Sequence, residues 1–230
     1  MSAGAWAASF CKQYGITFPQ ATVRQPALAV APGPEPVPDA LHTKEVSVTR
    51  RGDGGHTLSV SGRGRIDPTP QLLRFSTQFL PMFARRWRNL RPGGLEGLRS
   101  RHERWSRWRM DEPTPMEHVR ILDPAPDQGA VELTHRRALE MLPVLRGRAI
   151  TGAWAGYVDT TPDGVPGIGE IGGIPGFVLA AGFSGHGFGI GPGAGHLIAD
   201  IVTGSAPIVD PRPLHPSRLS ASAWGKVAEF

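Results

Sequence analysis

The stretch that decides the fold runs from Gly182 to Gly195 and reads Gly-Phe-Ser-Gly-His-Gly-Phe-Gly-Ile-Gly-Pro-Gly-Ala-Gly. The apolar run Gly176-Phe-Val-Leu-Ala-Ala181 precedes it and predicts a buried strand, while residues 196–203 behind it predict a helix. Glycines let backbone N–H groups come close to a ligand, and the helix adds the positive end of its dipole. The pattern therefore predicts a strand, a loop and a helix that together hold an electron-rich group.

Local signals also delimit this helix. Pro192 is compatible with its first turn, and Gly204 stands where a left-handed C-terminal cap is expected. The apolar residues within 196–203 fall on one face of the predicted helix. An alternative explanation is that the glycines only allow the helix to pack closely on a sheet, and the glycine loop by itself does not separate the two interpretations.

Two longer segments around this loop carry a family resemblance. The first reads Trp154-Ala-Gly-Tyr-Val-Asp-Thr-Thr-Pro-Asp-Gly-Val-Pro-Gly-Ile-Gly169, and the second reads Pro175-Gly-Phe-Val-Leu-Ala-Ala-Gly-Phe-Ser-Gly-His-Gly-Phe-Gly189. Together they resemble the C-terminal signature of the FAD-dependent D-amino acid oxidase-like family, which includes glycine oxidases, sarcosine oxidases and D-amino acid dehydrogenases. The opening Ala3-Gly4-Ala5-Trp6 resembles an earlier block of the same family, so the two blocks occur in the expected order.

The resemblance implies an N-terminal strand, Gly-x-Gly-x-x-Gly turn and helix for the FAD pyrophosphate. The only literal match here is Gly167-Ile-Gly-Glu-Ile-Gly172, and it is followed by Gly173-Ile-Pro175 and another predicted strand instead of a helix. We therefore interpret it as a chance match. The chain is expected to be the C-terminal portion of a flavoenzyme that lacks the dinucleotide-binding motif, and a second chain is a possible source of the missing segment.

The expected fold class is α+β or α/β, as the C-terminal part of a two-lobed flavoprotein. A mixed, largely antiparallel substrate-domain sheet with helices would accompany a partial FAD-binding lobe. Residues 1–25 would begin the FAD-binding lobe, 26–158 would form the substrate-binding lobe, 159–205 would return to the FAD-binding lobe, and 206–230 would form a tail.

Several elements of the substrate lobe can be predicted from local patterns. Alternating residues at 46–48 and 58–60 flank Asp53-Gly54 and predict a hairpin. Thr69 and Pro70 predict the start of a helix, which Pro81 would bend or end. A second helix is expected over 134–142, and strands are expected over 27–31, 119–123 and 149–158.

The resemblance also implies which residues contact the cofactor. The backbone of the glycine loop would lie along the flavin ring and stabilise negative charge near N1 and O2 of the reduced flavin. A turn further upstream would shape the site beside it, and the opening block would touch the other end of the cofactor. The expected FAD-binding residues are Ala3, Gly4, Trp6, Pro162, Asp163, Gly164, Gly185, His186, Gly187, Phe188 and Gly189.

No residue is assigned a catalytic role outright. Tyr157 is a candidate for a polar contact over the ring, although a tyrosine in a strand is more often part of the core. His186 is a candidate acid or base, although a bystander role is favoured. Glycine oxidase-like members carry an arginine for the substrate carboxylate where this chain has Val158. Either another arginine, such as Arg24, Arg51 or Arg120, replaces it, or the substrate is not a simple amino acid.

Composition narrows the possible partners, location and cofactors of the chain. The formal net charge is +5, and nine arginines lie between residues 85 and 109 among three tryptophans. A nucleic-acid surface is possible there, but arginines that cover apolar surface or form a docking face are favoured, so no nucleic-acid partner is predicted. Residues 171–199 contain no Asp, Glu, Lys or Arg, yet ten glycines and two prolines argue against a membrane span. Cys11 is the only cysteine, which fits a reducing cytoplasm, and no histidine spacing predicts a metal site.

Two function classes follow. The first is an FAD-dependent oxidoreductase, an oxidase or dehydrogenase, or the C-terminal fragment or subunit of one, which oxidises the CH–NH bond of a small amine or amino-acid-like substrate by hydride transfer to flavin. The second is a non-catalytic fragment or partner subunit that does not bind FAD by itself. The sequence leaves the substrate, the electron acceptor and the oligomeric state open.

Overall fold

The computed structural model describes residues 1–60, 64–99, 103 and 106–228, and within them the main sheet has seven strands. These strands are β1 (Ala21–Val30), β2 (Ala40–His42), β3 (Ser47–Arg50), β4 (His56–Ser59), β5 (Gly64–Ile66), β6 (Leu90–Pro92) and β7 (Ile150–Thr160). A separate antiparallel hairpin consists of β8 (Gly167–Glu170) and β9 (Val178–Ala181).

The long strand β1 is the centre of the main sheet. Ala27 pairs with Ser59 of β4 on one side and with Trp154 of β7 on the other. Strand β5 continues the β4 side at Arg24, and β7 runs along the whole opposite edge of β1. All pairings are antiparallel except the one between β5 and β6. Within the described residues, β7 is therefore an edge strand of the main sheet.

Six α-helices accompany the sheets within the described residues. They are α1 (Ala7–Gln13), α2 (Pro70–Arg74), α3 (Ser76–Arg86), α4 (Pro115–His118), α5 (Gln128–Met141) and α6 (Gly187–Thr203). Helix α5 covers one face of the main sheet, where Val131 and Ala138 pack with Leu28, Val48 and Leu58. In the part of the chain that the structure describes, none of the helices has the length and apolar character needed to cross a membrane.

The opposite face of the main sheet is the more exposed one. Successive residues of a strand point to opposite faces, so Gln25 and Ala27 of β1 lie on this second face, together with Trp154 and Gly156 of β7. Gln25 and Ala27 are partly exposed, and Trp154 and Gly156 are exposed. We call this surface the open face.

The hairpin β8–β9 joins the main sheet to α6. Ile168 and Ala180 of the hairpin pack with Ala194 and Leu197 of α6, and all four are buried. On its other side the hairpin packs against α1, with Cys11 and Leu179 in one buried cluster. The hairpin is thus a rigid support that fixes where α6 begins.

The structure confirms the expected fold class, with mixed α and β elements around a largely antiparallel sheet. The predicted hairpin forms with Asp53 and Gly54 in its turn. Thr69 caps α2 by accepting a hydrogen bond from the Leu72 N–H at 3.2 Å. Gly204 adopts the predicted left-handed conformation, with φ of 70°.

Three local predictions were wrong or incomplete. Helix α6 begins at Gly187, five residues before Pro192, which was expected in its first turn, because packing of Ala194 and Leu197 on the hairpin outweighs the low helix propensity of glycine. Residues 119–123 form no strand; the chain leaves α4 at Val119 and stays irregular. Helix α5 begins at Gln128, because the Asp127 side chain caps it by accepting from the Ala130 N–H.

The basic segment between residues 85 and 109 lies partly outside the described residues, which omit 100–102 and 104–105. Its described part includes the end of α3 and the short strand β6. The prediction that it takes no nucleic-acid partner stays a prediction.

Candidate active site

A tight turn connects β9 to α6. Gly182 and Gly185 have φ of 78° and 88°, and Ser184 between them has φ of 53°. Ser184 is the only non-glycine residue with positive φ among the described residues. This conformation costs a residue with a side chain about 1–2 kcal/mol, so the neighbouring contacts must hold the turn in place.

Asp159, near the end of β7, is the residue that holds this turn. Its Oδ2 accepts a hydrogen bond from the Gly182 N–H at 2.8 Å, and its backbone carbonyl accepts one from the Ser184 N–H at 2.9 Å. The Ser184 hydroxyl is also 3.0 Å from the hydroxyl of Thr160. The end of the main sheet therefore sets the direction in which α6 starts.

Gln20 joins the opening block of the chain to the same turn. Its Nε2 donates to Asp159 Oδ2 at 3.0 Å and to the Gly4 carbonyl at 2.8 Å, while its Oε1 accepts from the Ala8 N–H at 3.0 Å. Gln20 is fully buried. Sequence reasoning missed both Gln20 and Asp159, because their partners are distant in sequence; the polar Asp159 at the end of a predicted strand was the one available signal.

The N-terminus of α6 is open. His186 is the N-cap residue, and its side chain makes no capping hydrogen bond to the helix. The first hydrogen bond of the helical pattern is the Ile190 N–H to the His186 carbonyl at 3.2 Å, so the N–H groups of Gly187, Phe188 and Gly189 precede it. Phe188 is fully exposed, and a Cβ added at Gly189 would meet no atom within 4 Å. The predicted loop residues thus present accessible amides at the positive end of a helix dipole.

The opening block lies close to this turn. Gly4 is exposed with φ of 49°, and Ala3 packs at the edge of the cluster between α1 and the hairpin. The indole Nε1 of Trp6 is buried and has no hydrogen-bond partner in the described part of the chain. A buried donor of this kind is costly unless something else satisfies it, so Trp6 is compatible with a polar ligand atom.

The turn of Pro162, Asp163 and Gly164 is buried. Both carboxylate oxygens of Asp163 accept hydrogen bonds from Arg218 of the C-terminal tail, at 2.8 and 3.2 Å. The Ala228 N–H of that tail also donates to the Asp163 carbonyl at 2.9 Å. The tail thus covers this turn, and the expected contact of these three residues with the cofactor stays a prediction.

The structure separates the two catalytic candidates. Tyr157 lies opposite Arg24 in the register, so both side chains are on the face that α5 covers. His186 is exposed at the start of α6. Val158 lies on the open face instead, and its Cγ1 is 3.5 Å from the position of a Cβ at Gly185. Strand alternation thus directs Val158, not Tyr157, toward the glycine turn.

The three candidate arginines have different surroundings. Arg24 is 9% exposed and donates to Asp67 Oδ1 at 3.1 Å and to the Ala125 carbonyl at 3.2 Å. Arg120 is exposed in the irregular segment after α4. The guanidinium carbon of Arg51 lies 5.9 Å from the ring centroid of Trp154, which belongs to the open face.

Other candidate sites lie away from this region. A cavity of about 550 Å³ between α5 and the start of β7 is lined in part by Val131, His135 and Ile150 and includes none of the predicted site residues. No group of three or more possible metal ligands occurs among the residues that the structure describes. Cys11 is a buried free thiol, and burial raises its pKa to about 12, so it is not a reactive thiolate.

Comparison with known proteins relates this chain to a protein family. The family model described as FAD dependent oxidoreductase (DAO) matches residues 1–201. A glycine oxidase of Pseudomonas putida is 36% identical over 101 residues, which cover 44% of this chain and 27% of that protein. A glycine oxidase of Pseudomonas aeruginosa is 35% identical over 95 residues, which cover 41% of this chain and 26% of that protein.

Solved structures share the fold. The L-amino acid deaminase of Proteus myxofaciens, in complex with anthranilate, has a TM-score of 0.85 at 24% identity and covers 94% of this chain. The L-amino acid deaminase of Proteus vulgaris has a TM-score of 0.83 at 21% identity, again over 94% of this chain. The alignments span 48% and 50% of those two chains, so this chain spans about half the length of these structural relatives.

Proposed function

Because the chain belongs to the FAD-dependent oxidoreductase (DAO) family, we propose that it supplies the flavin-facing loop and the substrate-binding sheet of an amine-oxidising enzyme. The substrate is a small amine or amino-acid-like compound that is oxidised at its CH–NH bond. The glycine oxidases among its relatives and the amino acid deaminases that share its fold support this substrate class.

The observation that carries the proposal is the open N-terminus of α6. Gly187, Phe188 and Gly189 expose backbone N–H groups beside a turn that Asp159 and Gln20 hold in place. When bound, FAD supplies the acceptor for the hydride that leaves the carbon bearing the amine. The chain's own contribution is to orient the ring with these amides and to stabilise negative charge on it through the helix dipole.

The dipole of α6 stabilises a negative charge only modestly, but it does so without any rearrangement of the protein. Charges at a helix terminus are stabilised by about 0.3–1 kcal/mol, and by up to about 2 kcal/mol where the site is partly buried. Because the turn before α6 is fixed by partly buried hydrogen bonds, the amides keep their direction as the charge on a ligand changes.

Within the described residues, we find no comparable support for the pyrophosphate end of the cofactor. The Gly167–Gly172 match forms β8 and its turn toward β9, which is a hairpin and not a strand followed by a helix. We therefore propose that a second polypeptide segment supplies the dinucleotide-binding part. A reducing compartment such as the cytoplasm is part of the same proposal, in keeping with the free thiol of Cys11.

The test uses flavins with and without the dinucleotide part. Riboflavin and FAD are titrated into the chain, and binding is followed by flavin fluorescence. We expect weak binding of similar affinity for both, because the ring meets the α6 amides and the pyrophosphate meets no dedicated turn.

The variant Gly187→Leu should abolish this binding, since its Cβ would lie 3.2 Å from Phe183 Cβ and its side chain would cover the amides. The control Gly195→Leu, on the same helix, enters open space and should bind like the wild type. Flavin binding that is unaffected by Gly187→Leu would remove the loop from the site.

A second candidate function is a non-catalytic module that binds no flavin in any assembly. The hairpin formed by residues 167–181 favours it, since the Gly-x-Gly-x-x-Gly match of this chain is a purely structural element there. Absence of riboflavin binding by a folded wild-type chain would support this alternative over the oxidoreductase.

A further inference from the structure

A row of three arginines crosses the main sheet on the face that α5 covers. Arg24 of β1 is the register partner of Arg65 of β5, and Arg65 is in turn the register partner of Arg91 of β6. Register partners lie side by side, because neighbouring strands are only about 4.8 Å apart. Like charges at this spacing repel one another, so the row needs negative groups to offset it.

Two carboxylates offset the first two arginines of the row. Asp67 Oδ1 accepts a hydrogen bond from Arg24 Nη2 at 3.1 Å. Asp127 Oδ2 accepts one from Arg65 Nη1, also at 3.1 Å. Asp67 is buried, and Asp127 is the residue that caps α5. Arg24 and Arg65 are therefore matched in charge, with one carboxylate for each guanidinium.

The third arginine of the row has no carboxylate of its own. Within the described residues, neither Arg91 nor the nearby Arg88 forms an ion pair. Arg88 stacks on the ring of Trp87, with 5.3 Å from its guanidinium carbon to the ring centroid, and this contact uses the face of the guanidinium, not its N–H groups. Residues 68–95 contain five arginines and no Asp or Glu. The positive charges of Arg88 and Arg91 are thus left without a counter-charge.

These two arginines line a small cavity on the same face of the sheet. Asn89 and the apolar side chains of Val60 and Leu133 also line it, and its volume is about 40 Å³. One enclosed water needs about 10–15 Å³ of such volume, so the cavity has room for about three waters or one compact oxyanion. A complete drug-sized ligand needs about 300 Å³ or more. The cavity therefore suits a charged head group, with the rest of the ligand outside.

We propose that this cavity binds a dianionic phosphate group through Arg88 and Arg91. Guanidinium groups donate paired hydrogen bonds to phosphate oxygens, and two of them balance the two negative charges. The cavity lies on the α5 side of the sheet, whereas Val158 and the glycine turn lie on the open face. Its ligand is thus distinct from a substrate bound beside the glycine turn, and the inference does not depend on the proposed function.

The test titrates two phosphate probes calorimetrically at about pH 8, where a phosphate group carries nearly two negative charges. Glycerol 1-phosphate represents a phosphate monoester, and inorganic phosphate represents the free ion. Each is titrated into the wild-type chain, Arg91→Gln and Arg50→Gln. The Arg50→Gln control removes the same charge from an exposed ion pair with Asp39. We expect Arg91→Gln to weaken binding by about tenfold or more, and Arg50→Gln to leave it unchanged.

The relative affinity of the two probes identifies the source of the phosphate group. Tighter binding of glycerol 1-phosphate indicates an ester, and tighter binding of inorganic phosphate indicates the free ion, so either order supports the proposal. Dimethyl phosphate is a diester with a single charge, like one unit of a nucleic-acid backbone, and should bind about tenfold more weakly than the better probe. Equal affinity for dimethyl phosphate would contradict the charge match.

Melting temperatures distinguish a binding role of Arg91 from a purely structural one. In phosphate-free buffer, Arg91→Gln should melt no lower than the wild type, because it removes a charge that nothing offsets. Phosphate should then raise the melting temperature of the wild type and of Arg50→Gln more than that of Arg91→Gln. The proposal is overturned if the folded wild-type chain binds neither probe, if Arg91→Gln binds them as tightly, or if Arg91→Gln melts lower without phosphate.

Discussion

His56 is a buried histidine on β4 whose surroundings oppose its protonation. Its side chain lies on the α5 side of the sheet, and neither ring nitrogen has a hydrogen-bond partner in the described part of the chain. Burial lowers the pKa of His56 below its ordinary value, and the positive charges of Arg148 and Arg50 lower it further. The folded state therefore favours the neutral imidazole.

This depressed pKa predicts a pH-dependent stability. The contribution of His56 is present above the unfolded pKa of about 6.5 and is lost as pH falls toward the lower folded pKa, because the unfolded state then binds more protons. Urea unfolding from about pH 8 to about pH 5 should show a smaller loss of unfolding free energy in His56→Gln than in the wild type. His118→Gln, at an exposed position, is the control and should follow the wild type.

At this scale, local conformation could be predicted and long-range hydrogen bonds could not. Thr69 as a cap and Gly204 as a left-handed residue follow from the preferences of single residues. The bond from Gln20 to Asp159 joins residues 139 positions apart, and only the folded sheet brings them together. Sequence patterns therefore could not predict the hydrogen bonds that anchor the glycine turn.

Among the elements, α6 has two kinds of glycine with opposite effects on stability. Gly204 ends the helix with φ of 70°, a conformation that is unfavourable for residues with a Cβ. Gly193 lies in the exposed helix interior, where an added Cβ meets nothing within 4 Å. At Gly193 the flexible backbone only increases the entropy of the unfolded chain.

Paired alanine substitutions should reveal this difference. Gly204→Ala should lower the free energy of unfolding by about 1 kcal/mol or more, because it forces alanine into the left-handed region. Gly193→Ala should raise it by about 0.5–1 kcal/mol. Thermal or urea denaturation measures both changes, and effects of the same sign would contradict the assigned helix end.

The early start of α6 shows why element boundaries were harder to predict than element types. A run with glycine at every second position indicates a loop by propensity alone, yet Gly187–Gly195 is helical here. The apolar contacts of Ala194 and Leu197 with the β8–β9 hairpin stabilise the turn of helix before His196. The order of strand, glycine segment and helix was still predicted correctly.

For the whole molecule, the proposed flavin site leads to a prediction about the purified chain. In the proposed site the amides at the start of α6 face a flavin ring, whereas the Gly-x-Gly-x-x-Gly match is part of a β-hairpin. We expect the purified chain to carry little or no FAD, as measured by its visible absorbance. Strong stoichiometric flavin in the wild-type protein would contradict the need for a second segment.

The resemblance in the sequence led to the right family because its two blocks lie around one structural junction. The opening block and the glycine turn are linked through Gln20 and Asp159, so their spacing in sequence reflects contacts in the fold. The open face was not foreseen, because the strand register decides which residues of β1 and β7 share a face.

Strand β7 is an edge strand of the main sheet. Within the described part of the chain, backbone contacts cover this edge only at its C-terminal end, where Thr160 bridges Phe183 and the Asp159 carbonyl accepts from the Ser184 N–H. An uncovered strand edge is a template on which a foreign extended chain can assemble. Handling of the purified protein is thus expected to be limited by intermolecular strand pairing, with aggregation at high concentration. A charged substitution at the exposed Thr151, such as Thr151→Lys, is the rational way to improve its solubility.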